Sequence, residues 1–184
     1  MDLIELGYSD KWLKYGFLKE EQLTKQISAY KEDEDPGHFR FDSLCEWLHE
    51  KDVLSNREIG QFLEIAREDE DQLVAGSALR ELFTSPLLDN DQFEMIKARL
   101  PEFGAWTKKL IDRETLLRQI ESEEVTEEIF EASFNYKSEF KDNRPLFALI
   151  EKAENIAVLA KFADAKCGKQ LRKLAEKKIK RLEK

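Results

Sequence analysis

Glycine and proline are scarce in this chain, with seven Gly and four Pro among 184 residues. Runs that alternate β-branched and polar residues are few as well, so little material exists for hairpins and strands. Helices are expected to dominate. Cysteine is rarer still: Cys45 and Cys167 lie far apart, which excludes the disulfide framework of a small secreted domain and fits reduced thiols in a cytoplasmic protein. No run approaches the roughly 18 apolar residues of a membrane span. The opening residues Met1, Asp2, Leu3, Ile4 and Glu5 place no basic region before an apolar stretch, so no secretory signal is read there. Gly60, Gly76, Gly104 and Gly168 stand isolated, which leaves no glycine-rich loop to cradle a phosphate chain.

What the chain has in abundance is charge. Its charged fraction of 38% exceeds the roughly 25% of ordinary domains, and the net charge of -9 conceals a division. Residues 161–184 carry ten Lys and Arg against Asp164, Glu176 and Glu183, a net of +7, whereas residues 1–160 carry 20 basic and 36 acidic side chains, a net of -16. Asymmetry of this kind bears on association and solubility rather than on fold.

Helix-start signals recur through the middle of the chain. Ser55 with Glu58 forms a capping box, Asn90 follows Asp89, and Thr126 precedes Glu127 and Glu128, at intervals of 35 and 36 residues. That interval is one helical hairpin, the unit of helical-repeat arrays. The apolar stripes agree: Ile59, Phe62, Leu63 and Ala66 in one helix, then Val74, Ala78, Leu79 and Leu82 in its partner, ended by Ser85 and Pro86. A second hairpin runs from Asn90 to Pro101 and from Trp106 to Ile120. Ahead of these, Ser9 is expected to cap a short helix with Trp12 and Phe17, and a second helix carries Leu18, Leu23, Ile27 and Tyr30. The acids Glu32, Asp33, Glu34 and Asp35 with Pro36 and Gly37 read as a hydrated loop, and Asp42 as the cap of the next helix. Their spacing lacks the alternating ligands of a calcium loop. After Thr126 the polar stretch 136–142 breaks the rhythm, Asn143 and Pro145 open a further helix, Asn155 caps another, and a last helix is expected from about Ala165.

One stretch, 63–82, resembles the junction of a HEAT-type hairpin. Leu63, Ile65 and Ala66 give way to the acidic turn Glu68, Asp69, Glu70, Asp71, and then to Val74, Ala75, Ala78, Leu79 and Leu82. A looser echo lies in 150–159. The chain lacks the family's usual turn Pro and the basic residue just after its Val. What the resemblance implies is a short HEAT-like array, an α-solenoid whose concave surface binds protein; an irregular helical bundle is the alternative arrangement. Either way the expectation is one all-α domain over 1–184, with N-terminal helices in 1–35, hairpins in 42–135 and C-terminal helices in 143–184.

Candidate sites are few. Asp42, Cys45 and His49 share one helix at i, i+3 and i+7 and are acceptable zinc ligands, yet a structural zinc needs four, and His38 is the only other histidine. A helix cap, a small buried thiol and a surface imidazole account for the same three residues. A His one turn from Cys45 on the same helix is badly placed to activate it, and no oxyanion feature is readable. No catalytic residue, cofactor or metal is therefore assigned. Trp12, Trp47 and Trp106 suit either an interface or a core, and at least two of them are expected inside.

The last helix is the sharpest candidate. Cys167, Leu171, Leu174, Ala175 and Leu182 fall in one broad sector, and Lys169, Arg172, Lys173, Lys177, Lys180, Arg181 and Lys184 in the other. Such a face suits nucleic acid, an anionic membrane surface or an acidic partner; equally, the helix docks its stripe and spreads its cations over an acidic body. The acidity of 1–160 and the lack of stacking aromatics among these cations disfavour nucleic acid. The sequence reading is thus a non-catalytic protein-protein interaction module whose acidic surface meets a basic partner. An immunity or inhibitor protein that neutralises a basic toxin or enzyme is the more specific form of it, and binding through the basic helix is the rival.

Overall fold

A computed structural model describes residues 3–30 and 36–184, so the acids Glu32, Asp33, Glu34 and Asp35 of the expected loop lie outside the described residues. Every regular element among the described residues is helical, and none is long and apolar enough to cross a membrane. The chain forms two compact units, residues 1–105 and 106–184. The two helices expected to form the second hairpin fall on either side of that boundary.

The first unit contains α1 (Asp10–Tyr15), α2 (Glu20–Tyr30), α3 (Pro36–His49), α4 (Asn56–Glu68), α5 (Gln72–Phe83) and α6 (Asn90–Arg99), with short 3-10 turns at Leu3–Leu6 and Leu100–Phe103. The expected hairpin is present as α4 packed on α5, and α3 lies against α5 as well. Its centre is aromatic. Phe17 meets Trp47 at 4.5 Å and Phe62 at 5.8 Å between ring centroids, in edge and tilted geometries that aromatic quadrupoles favour. Trp12 and Trp47 are buried, while Trp106 is 39% exposed.

Three caps differ from expectation. Ser9 holds the N-cap position of α1, but its side chain makes no capping hydrogen bond. Pro36 opens α3 instead of preceding a turn, because its missing N–H and fixed φ suit a first helical position; Asp42 therefore sits mid-helix and caps nothing. At α6 the cap is Asp89, one residue earlier than Asn90, since Asp89 and Gln92 satisfy each other's backbone amides. The box at Ser55 is as expected: its hydroxyl accepts from Glu58 N at 3.2 Å, and Glu58 Oε2 accepts from Ser55 N at 2.9 Å. Replacing Ser55 with Ala is expected to cost about 1 kcal/mol in chemical denaturation. Lys51, then the Ser55 hydroxyl and amide, hold the Glu58 carboxyl down from 4.5 to about 2. A depressed acid stabilises the fold fully above its unfolded value and loses that contribution as pH falls through the folded one. Between about 4.5 and about 2 the stability of Glu58→Gln is therefore expected to fall less steeply than that of the parent; parallel acid limbs would refute this assignment.

The second unit contains α7 (Thr107–Ser122), α8 (Glu127–Phe140), α9 (Arg144–Lys152), α10 (Ile156–Ala160) and α11 (Lys169–Leu182), with 3-10 turns at Lys161–Ala163 and Ala165–Cys167. α7, α8 and α9 pack pairwise, and α11 lies on α9 and α10. Ile120, Phe130, Leu146, Leu149, Leu159, Phe162 and Leu171 belong to one buried cluster. The side chains of Thr126 and Asn155 cap α8 and α10 as expected. The expected break at 136–142 is shortened to 141–143, because Tyr136 is buried and carries α8 on to Phe140, where Lys141 at φ 57 ends the helix. The last helix begins at Lys169 instead of near Ala165: Gly168 at φ +84 turns the chain, and Asp164 accepts the amide of Lys166 in the turn before it.

Candidate functional site

The first unit holds a cleft of about 930 Å³ between its opening turn and the acidic α4–α5 turn. The floor is a charge pair buried by the fold itself. Arg40 falls on the same side of α3 as Gly37, Leu44 and Trp47, all buried, and this register sends its guanidinium inward. There Nε donates to Asp69 Oδ2 at 2.9 Å, Nη2 to Asp69 Oδ1 at 3.2 Å, and Nη1 to the Leu6 carbonyl at 2.9 Å. A bidentate fork of this kind fixes direction as well as charge.

Two backbone features accommodate it. Gly7 has φ +77, and a Cβ there would stand 2.4 Å from Arg40 Nη1, so glycine is required both by conformation and by space. Asp69 ends α4, and its Oδ1 also accepts the Asp71 amide at 2.8 Å, while Asp71 caps α5. One arginine thereby ties the Leu6 segment to the turn between α4 and α5. Beside it the Tyr8 hydroxyl donates to Gln26 Oε1 at 2.7 Å and lies 3.2 Å from Ser43 Oγ; burial pushes its pKa up to about 12.

The rim has a different character. Ile4 is 77% exposed and Leu73 82%, and both line the cleft with Glu5, Glu68, Glu70 and Asp71. Glu68 pairs with Lys11, whereas Glu70 extends outward from the turn. The Ser9 hydroxyl, another lining group, is enclosed without a hydrogen-bond partner among the described residues. Charge reinforces the local picture: residues 1–105 bear 24 acidic and 12 basic side chains, a net of -12, and residues 106–184 bear 15 and 18, a net of +3.

The basic helix proposed from sequence is present, and its members divide. Lys169, Lys173, Lys177, Lys180 and Arg181 are exposed and recur along one side of α11, and Lys184, also exposed, follows its end. Among the described residues none of them pairs with a carboxylate. Arg172 does not join them, since it is half-buried on the packed side with Nε enclosed. The packed ridge is Leu171, Ala175 and the partly buried Ile179; Leu174 and Leu182, expected in that stripe, are 40% and 38% exposed. A spacing of four residues, not membership of a broad sector, selects what reaches the core.

Asp42 and His49 are exposed on α3 and Cys45 is half-buried. Among the described residues no three His, Cys, Asp or Glu are gathered as for a metal ion. Burial, then the nearby carboxylates of Glu81, Asp42 and Glu46, push the Cys45 thiol up to about 11, away from thiolate chemistry. Sequence reasoning missed the cleft. The available signal was Arg40 itself, a cation in register with the apolar stripe of its helix. No protein family, curated protein or solved structure matches the chain.

Proposed function

We propose that this protein is a non-catalytic interaction module whose first unit docks a basic segment of another protein in the cleft between residues 3–9 and 68–73. The single observation that carries the reading is the pairing of two exposed apolar side chains, Ile4 and Leu73, with an acidic rim over a floor whose own charges are already satisfied. Exposed apolar residues set beside charge of one sign favour a segment that brings a large apolar side chain flanked by Lys or Arg. Opposite charge steers the encounter, and the apolar contact holds it.

A labelled peptide with Leu between lysines and arginines provides the test by fluorescence anisotropy. Glu70→Lys and Leu73→Ser are each expected to weaken binding roughly tenfold, a little over 1 kcal/mol at a partly exposed contact. The association rate is expected to fall steeply from about 0.01 M to about 1 M salt. A rate unchanged by salt, or full affinity in both variants, contradicts the reading.

The unpaired cations of α11 support a second reading, in which that face meets an anionic surface. Substituting Lys173 and Lys177 with Gln separates the two, because it removes charge from α11 and leaves the cleft intact.

A further inference from the structure

We infer that the second unit carries a binding site for a phosphate monoester in the cavity of about 530 Å³ lined by Phe134, Lys137, Ser138, Lys141, Asn143 and Lys166. This site is separate from the cleft in residues 1–105. Three of its six lining residues are lysines and none is acidic, in a chain with 39 Asp and Glu. Of the acids nearest in sequence, Asp142 binds Arg144 and accepts from Tyr136, Glu139 binds Lys108, and Asp164 accepts the backbone amide of Lys166. None of the six lining residues is a carboxylate; Glu131 and Asp164 line the adjoining pocket that shares Phe134 and Lys166.

Two segments bring these groups together. Lys137 and Lys141 stand one turn apart at the end of α8, and Lys166 comes from the turn before α11. Lys137 Nζ donates to the Lys166 carbonyl at 2.6 Å, and Lys141 Nζ to the Ser138 carbonyl at 2.7 Å. Each ammonium has three N–H donors, so each keeps two for a ligand. Cations at a helix C-terminus also suit the helix dipole, which accounts for Lys137 and Lys141. It does not account for Lys166, which belongs to a different segment.

The remaining lining residues narrow the ligand. Asn143 Oδ1 is enclosed with no donor among the described residues. A hydrogen phosphate offers both kinds of group, oxygens that accept from the lysines and a P–OH that donates to Asn143. The space exceeds a bare phosphate, and the half-buried Phe134 ring, which stacks with Phe130 and carries the Lys137 ammonium 5.3 Å from its centroid, gives an apolar border for the organic part of an ester. A phosphorylated small molecule and a phosphorylated lipid headgroup share this chemistry.

Phenyl phosphate titrated into the full chain, followed by amide NMR, tests the site, with circular dichroism as the check on folding. Saturable shifts are expected at residues 134, 138, 141, 143 and 166. Replacing Lys137 and Lys141 with Gln is expected to weaken binding by at least about tenfold, as loss of charge-assisted hydrogen bonds implies, and replacing them with Arg to restore it. Lys173→Gln with Lys177→Gln on α11 is expected to leave affinity unchanged. Vesicles of phosphatidylcholine with and without phosphatidylinositol 4-phosphate distinguish the source: binding to the phosphorylated vesicles alone, lost with Lys137 and Lys141, assigns the ester to a lipid headgroup. The proposal is overturned if neither probe binds saturably, or if the α11 pair lowers affinity as much as the cavity pair does.

Discussion

Arg40→Met is expected to destabilise the first unit by about 3–5 kcal/mol, the usual consequence of removing one partner from a buried ion pair. The Arg40 and Asp69 side chains are only 9% and 3% exposed, so the carboxylate would be left with little hydration in place of its charged partner. Asp69 would retain the Asp71 amide but lose both charged donors, and the Leu6 carbonyl would lose its own. For a chain of this length the melting temperature is expected to drop by about 6–20 °C. Asp69→Asn supplies the other edge of a double-mutant cycle. Because the two residues share their hydrogen bonds, the double variant is expected to lose much less than the sum of the singles. Additive losses would mean that the pair does not couple the opening turn to the α4–α5 turn. Gly7→Ala is expected to act on the same contact, since its Cβ would enter the space of Arg40 Nη1.

Phe162→Ala is expected to have a comparable effect in the second unit, about 3–5 kcal/mol. Phe162 is fully buried and meets Phe130 edge-on at 4.9 Å, inside the cluster that also holds Leu146, Leu149, Leu159 and Leu171. It lies in the Lys161–Ala163 turn, between α10 and the turn that leads to α11. A 3-10 turn has little regular hydrogen bonding to resist collapse, so an emptied site there loses the packing that fixes where α11 begins. Hydrogen exchange should therefore rise along α11 more than along α7. Equal protection in parent and variant would show that Phe162 does not secure the last helix.

The all-helical fold was legible in the sequence because its signals are local. The Ser55 box, the Thr126 and Asn155 caps and the stripe through Ile59, Phe62 and Ala66 each depend on residues within two turns of one another. Errors arose where a local signal has two outcomes. Pro36 reads equally as a helix breaker or a first helical residue, and Asp89 and Asn90 are both good caps. The polar letters of 136–142 concealed Tyr136, whose ring is buried although its hydroxyl still reaches the Lys109 carbonyl and Asp142.

The sites were less legible for a different reason. The cleft floor joins Leu6, Gly7, Arg40 and Asp69, which lie up to 63 positions apart, and no window of sequence spans them. The lysine cavity unites the end of α8 with a turn 25 residues beyond Lys141. By contrast the cation row of α11 is periodic in sequence, and the structure adds to it only the displacement of Arg172. Charge could be counted from the letters; the place where it meets exposed Ile4 and Leu73 required the fold.

Amide NMR of the labelled full chain during titration with the Leu-centred basic peptide tests the central claim most directly. The docking reading predicts saturable shifts at Ile4, Gly7, Ser9, Glu70 and Leu73 while the exposed side of α11 stays unchanged. Shifts confined to residues 106–184, or none that saturate, would contradict it.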